Sequence, residues 1–120
     1  MSEPDVPLTE QALHTARAAV LRDLAATGHA DPSTVSLVDD AVAGRRWWVA
    51  QWPDGVAFLT CLVAQDVADA LLARVGRWPC CIVHDEEPLV VEPALGHDPR
   101  WICGHCGEIA PVGALHAAAG

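Results

Sequence analysis

Cys81-Ile82-Val83-His84, then 18 residues, then Cys103-Gly104-His105-Cys106: the reading of these two stretches decides how the last third of the chain folds. In each, two residues separate two metal-capable side chains, a spacing that turns the backbone tightly and aims both side chains at one point. Two such pairs meet the four-coordinate, tetrahedral preference of Zn2+ for thiolate and imidazole donors. The spacing therefore predicts one zinc site made by Cys81, His84, Cys103 and Cys106. Gly104 and Gly107 suit the second turn, because residues without a Cβ let backbone amides approach and hydrogen-bond the thiolates. Two substitutes stay open: Cys80 for its neighbour Cys81, and His97 for His84.

The redox setting supports a metal over a disulfide framework. Five cysteines is an odd number, and Met1 to Pro7 is acidic, carries two prolines and has neither the basic nor the apolar part of a secretory leader. No apolar run in the sequence approaches the roughly 20 residues of a membrane helix. We expect a cytoplasmic protein without a membrane partner, where thiols stay reduced and clustered cysteines read as metal ligands.

Working outward, residues 77–116 form a zinc-ribbon-like module. It holds four of the five cysteines and four of the six histidines, and helical periodicity is lost there. Leu89–Glu92, Arg100–Ile102 and Glu108–Val112 read as short strands that present the two turns. Trp78 and Trp101 precede the turns and are expected to pack against each other beneath the metal. Residues 117–120 read as a frayed end.

Residues 8–76 read as an α-β-β-β-α domain. A helix from Thr9 to Thr27 places Leu13, Ala16, Val20, Leu21 and Leu24 on one face, with Thr9 as N-cap and Gly28 as stop. Asp31-Pro32-Ser33 reads as a break. Thr34–Ala43, Arg46–Trp52 and Val56–Val63 read as strands on their β-branched content and alternation, with Pro53-Asp54-Gly55 as the turn between the last two. Their short connections predict an antiparallel meander. Gln65–Val75 reads as a second helix with Ala68, Leu71, Leu72 and Val75 inward. Residues 1–7 read as a disordered tip. The expected class is α+β: a three-stranded antiparallel meander with two helices, followed by the zinc-ribbon-like module.

Cys103-Gly104-His105-Cys106-Gly107 resembles the second knuckle of zinc-ribbon domains. Trp78-Pro79-Cys80-Cys81-Ile82-Val83-His84, with Trp101-Ile102-Cys103 and Pro111-Val112-Gly113-Ala114-Leu115, is similar to a group of small uncharacterised actinobacterial proteins. The chain departs from that group at Cys80 and Ile82, where prolines stand, and at Glu86-Glu87, where a histidine is commoner. The likeness implies a metal and brings no activity with it.

Charge narrows the partners. Sixteen acids against seven arginines, with no lysine, give a net charge of −9. Phosphate backbones and anionic membranes would be repelled, so nucleic acid is disfavoured even though α-β-β-β-α is also the order of double-stranded RNA-binding domains. A basic protein surface is compatible. Trp47, beside Arg45 and Arg46, is a candidate partner-binding patch, since Trp and Arg are enriched at binding hot spots; coverage of both faces of its strand, by the helices and by the metal module, is the competing reading. A homodimer through strand edges also fits.

No residue is singled out as catalytic. Four protein ligands close a zinc ion's coordination and leave no place for an activated water, and no nucleophile–base pair or phosphate-cradling loop is evident. Cys-Gly-His-Cys is also the active-site sequence of protein disulfide isomerases, where it caps a long helix. Only fourteen residues follow Cys106 here, including Gly107, Pro111 and Gly113, which leaves no room for that helix. The expectation is a non-enzymatic interaction or adaptor protein with structural zinc. Its rival is a thiol-redox or zinc-dependent enzyme using the Cys103/Cys106 region.

Overall fold

The computed structural model describes residues 5–84 and 87–116, the backbone alone for 5–7. Helix α1 spans Asp5–Ala26. It begins ahead of the expected N-cap at Thr9, so residues 5–7 of the expected disordered tip are helical, while residues 1–4 lie outside the described residues. Of the predicted inward stripe, Leu13, Ala16, Val20 and Leu24 are buried, and Leu21 is partly buried against the core. Gly28 ends the helix at φ +78°, with the His29 N–H reaching back to the Leu24 carbonyl at 2.8 Å, the closure that a left-handed residue permits.

The expected strands between residues 34 and 63 are helical instead. Asp31 is an N-cap: its Oδ1 accepts the Thr34 N–H at 2.9 Å and the Ser33 hydroxyl at 2.8 Å. Those bonds hold its carboxyl below the ordinary carboxylate range. Pro32 occupies the first turn of α2, Pro32–Gln51, where its missing N–H costs nothing. The buried residues Thr34, Val38, Val42 and Val49 follow a helical period, and that stripe overrides β-branched propensity. Pro53–Phe58 is a 3-10 turn, not a hairpin, and leads into α3, Leu59–Arg74. Gly55 is required there, because a Cβ would come within 2.5 Å of the Trp48 ring.

Helix α3 starts six residues before the expected Gln65, and this corrects its phase. Leu59, Val63, Ala64, Val67 and Leu71 are buried, whereas Leu72 and Val75, expected inward, are 59% and 58% exposed. Pro53–Arg74 is also long and apolar enough, at a mean hydropathy of 1.7, to cross a membrane by length and composition alone. This amends the expectation that no stretch approaches that length. Its buried residues belong to the core shared with α1 and α2.

The sheet lies in the C-terminal part, close to the strands expected there: β1 Val90–Glu92, β2 Arg100–Cys103 and β3 Gly107–Pro111. It is antiparallel in the order β1-β2-β3, so the chain is α+β with one three-stranded meander. Val91 pairs with Trp101 and Trp101 with Ala110, and all three are buried. That row is the face turned to the helices. Residues 117–120 lie outside the described residues.

One core runs through both parts. Leu13, Val20, Val38, Val63 and Leu71 from the helices join Trp78, Leu89, Val91 and Trp101. Two neighbouring side chains of α1 fasten the two parts together: Arg22 Nε donates to the Gly113 carbonyl at 3.1 Å, and Asp23 binds three groups. Asp23 is fully buried; its Oδ2 accepts the Trp101 indole N–H at 2.8 Å and the Gly113 N–H at 2.7 Å, and its Oδ1 accepts the Leu115 N–H at 2.9 Å. A buried carboxylate is tolerable only when so satisfied.

Candidate metal centre

Cys81 and His84 stand on a loop closed by three backbone bonds: Cys81 N–H to the Glu87 carbonyl at 3.0 Å, Glu87 N–H to the His84 carbonyl at 2.7 Å, and Leu89 N–H to the Pro79 carbonyl at 2.8 Å. Cys103 and Cys106 stand at the β2–β3 turn, where Cys103 pairs with Gly107. Gly107 carries φ +86°, which a Cβ would strain. Both turns repeat one small motif: the Val83 N–H points at the Cys81 Sγ and the His105 N–H at the Cys103 Sγ, each at 3.4 Å.

The structure brings the four predicted ligands together, with their donor atoms all within 4.8 Å of one another. His84 faces the group through Nδ1, at 3.7 Å from the Cys81 Sγ, 3.8 Å from Cys103 and 3.3 Å from Cys106; Cys81 and Cys106 sulfurs are 3.7 Å apart. Zinc–sulfur bonds of about 2.3 Å and zinc–nitrogen bonds of about 2.0 Å at tetrahedral angles demand edges of roughly 3.5–3.8 Å. Those four distances lie close to such edges and the remaining pairs lie within 4.8 Å, so the four residues could hold a metal. Cys81 and Cys103 are buried while His84 and Cys106 are exposed, which leaves the centre anchored on one side and open to solvent on the other.

The thiols are already electrostatically divided. The backbone N–H of His84, followed by its side chain and the Val83 N–H, holds the Cys81 thiol down to about 6. Cys106 is pushed up to about 11, chiefly by its hydrogen bond to Cys81, with partial desolvation and a hydrogen bond to Cys103 adding to it. One sulfur is thus ready as a thiolate, and its neighbour keeps a proton that a cation would displace.

The alternative ligands fall outside the group. His97 packs edge-on against Phe58, with centroids 5.6 Å apart. The Cys80 thiol donates to the Arg77 carbonyl at 3.4 Å. His105 is exposed, as expected, with Nε2 3.4 Å from a Glu87 carboxylate oxygen and its ring 4.8 Å from that of His84. Trp78 and Trp101 do meet edge-to-face, at 5.6 Å, and the Trp78 indole N–H is tied to the Thr27 hydroxyl at 2.9 Å. Cys61 is buried and donates to the Phe58 carbonyl.

The candidate partner patch is altered by the helix that carries it. Arg45 makes a two-bond ion pair with Asp66, at 2.7 and 2.9 Å, and lies over the Trp48 ring. Arg46 makes another with Glu10, at 3.0 and 2.9 Å. Trp47 is 69% exposed, and Arg46 stays exposed despite its pairing.

The reading of the sequence passed over Asp23. The signal was present, since residue 23 falls three positions after Val20 on the apolar stripe of α1, and an acid there must find partners.

The domain family described as "Domain of unknown function (DUF8819)" matches residues 9–112, a span that contains all four ligands. No curated protein matches the chain, and no solved structure does. With most of its length covered by that match, the chain belongs to the DUF8819 family.

Proposed function

We propose that Cys81, His84, Cys103 and Cys106 hold one structural Zn2+ and that the protein acts, without catalysing a reaction, as a cytoplasmic interaction or adaptor protein. The observation that carries this reading is the convergence of four donors within 4.8 Å of one another, with four of their six separations at 3.3–3.8 Å. Three sulfurs and one imidazole favour zinc over the hard cations. Four protein donors fill a tetrahedral shell and leave no position for an activated water, which favours a structural over a catalytic ion. The likeness of Cys103-Gly104-His105-Cys106-Gly107 to the second knuckle of zinc-ribbon domains points the same way, as does the metal implied by the separate likeness to small actinobacterial proteins. Trp47 is the surface residue we assign to a protein partner, and the net charge of −9 favours a basic partner over nucleic acid.

The test is zinc content and thermal unfolding, measured on the same preparations of the native chain and of Cys103→Ser. About one zinc per chain is expected, with metal content and melting temperature falling together in the variant. A native chain that purifies metal-free and melts at the same temperature with or without added zinc would sink the proposal. A Cys103→Ser chain that stays folded and loses only a thiol-dependent activity would favour the rival enzyme reading. Capture of a host protein that is lost in Trp47→Ala would support the adaptor role.

A further inference from the structure

Cys106 stands on the open side of the metal centre and is exposed, while Cys81 and Cys103 are buried. The Cys81 sulfur, supplied by the other turn, lies 3.7 Å from that of Cys106. A small oxidant arriving from solvent therefore meets one sulfur first, with a second sulfur from a distant part of the chain in contact behind it. An accessible cysteine backed by a resolving cysteine is the arrangement that stops oxidation at a reversible disulfide. Each sulfur sits on a turn closed by backbone hydrogen bonds, from Cys81 and Glu87 in the first and across the β2–β3 pairing in the second. The two turns thus keep their places when the bonds between sulfurs and metal change.

We propose that the centre is a redox switch: a hydroperoxide joins Cys81 to Cys106, the zinc is released, and a metal staple becomes a covalent one. This rests on the structural-zinc reading above, since zinc ligation supplies both sulfurs as thiolates. The Cys106 thiolate attacks one oxygen of hydrogen peroxide, the O–O bond breaks, hydroxide leaves, and Cys106 becomes a sulfenic acid. The Cys81 thiolate attacks that sulfur, an S–S bond forms, the S–O bond breaks, and a second hydroxide leaves. The two thiolates have together lost two electrons, and the peroxide has gained them. Cys103 and His84 alone give the ion two of its four donors, and it departs. A Cys103–Cys106 bond would close only the turn that carries both; the Cys81–Cys106 bond joins positions 25 apart and constrains the unfolded chain more.

The test treats the reduced, zinc-loaded chain with hydrogen peroxide, reads zinc with pyridylazoresorcinol, and maps disulfides by trypsin digestion and mass spectrometry. Cleavage after Arg77 and Arg100 puts Cys81 in one peptide and Cys103 and Cys106 in the next. About one zinc should be released per disulfide formed, and the disulfide should join those two peptides. Fragmentation should assign it to Cys81 and Cys106, it should survive in Cys80→Ser, and dithiothreitol with added zinc should reverse it. The oxidised chain should keep its circular dichroism and melt above the reduced chain stripped by chelator. A disulfide confined to Cys103 and Cys106, a link that disappears in Cys80→Ser, or zinc retained in excess peroxide overturns the switch and leaves the structural zinc standing. A chain that never carries zinc overturns both readings.

Discussion

Asp23 shows how much one residue can hold. Its carboxylate receives two backbone N–H groups and an indole N–H from residues far along the chain. Replacement by alanine would bury three donors without a partner, at a cost of roughly 3 kcal/mol or more. Urea unfolding of Asp23→Ala should show that loss, and a cost below about 1 kcal/mol would mean that water replaces the carboxylate. The thiols make a second residue-scale prediction. With Cys106 raised to about 11, a dication that takes its sulfur releases its proton at neutral pH. Cys81, held near 6, adds a further proton to that competition only below that pH. Metal affinity should thus fall as pH falls, and more steeply once below about 6. Calorimetric zinc titrations in buffers of different ionisation enthalpy would count the protons, and release that does not vary with pH would contradict this division.

At the scale of elements, the strands of the metal module were legible and those of the first two thirds were not. Leu89–Glu92 and Arg100–Ile102 are bounded by prolines and by ligand turns, so little else could form there. Arg46–Trp52 alternates as a strand would, but Val38, Val42 and Val49 also lie on one helical stripe. Two periods coexisted in one segment, and Asp31-Pro32-Ser33-Thr34 decided between them as a helix cap, a role that the reading of the segment as a break had missed. With Leu59 and Val63 read as strand residues, the helical phase starts at Gln65 and turns Leu72 inward; the helix in fact starts at Leu59 and leaves Leu72 exposed. The four ligands were readable because ligand spacing is local, whereas the partners of Asp23 lie too far along the chain for periodicity to reveal. Paired substitutions in α3 test the corrected phase. Leu71→Ala should cost about 2–5 kcal/mol, and Leu72→Ala, at an exposed position, about 0.5 kcal/mol or less. Comparable losses in thermal unfolding would contradict the helix as drawn.

For the whole molecule, the continuity of the core matters more than any boundary near residue 76. Trp78, Val91 and Trp101 belong to the same buried cluster as Leu13 and Leu71. Removal of the proposed zinc by a chelator should therefore lower a single cooperative transition, by roughly 10 °C or more, and should not split it in two. Scanning calorimetry with and without chelator reads this directly; two separated peaks would mean that the module melts alone. The Asp23 clamp has one more consequence, for a chain emerging from a ribosome. The carboxylate appears early, at position 23, while the groups that neutralise its burial belong to residues 101, 113 and 115. Until those are made, the apolar stripe of the first helix carries a bare negative charge that keeps it hydrated. Closure of the bundle before residues 101–115 are made would bury that charge without its hydrogen bonds, at the cost that the native partners remove.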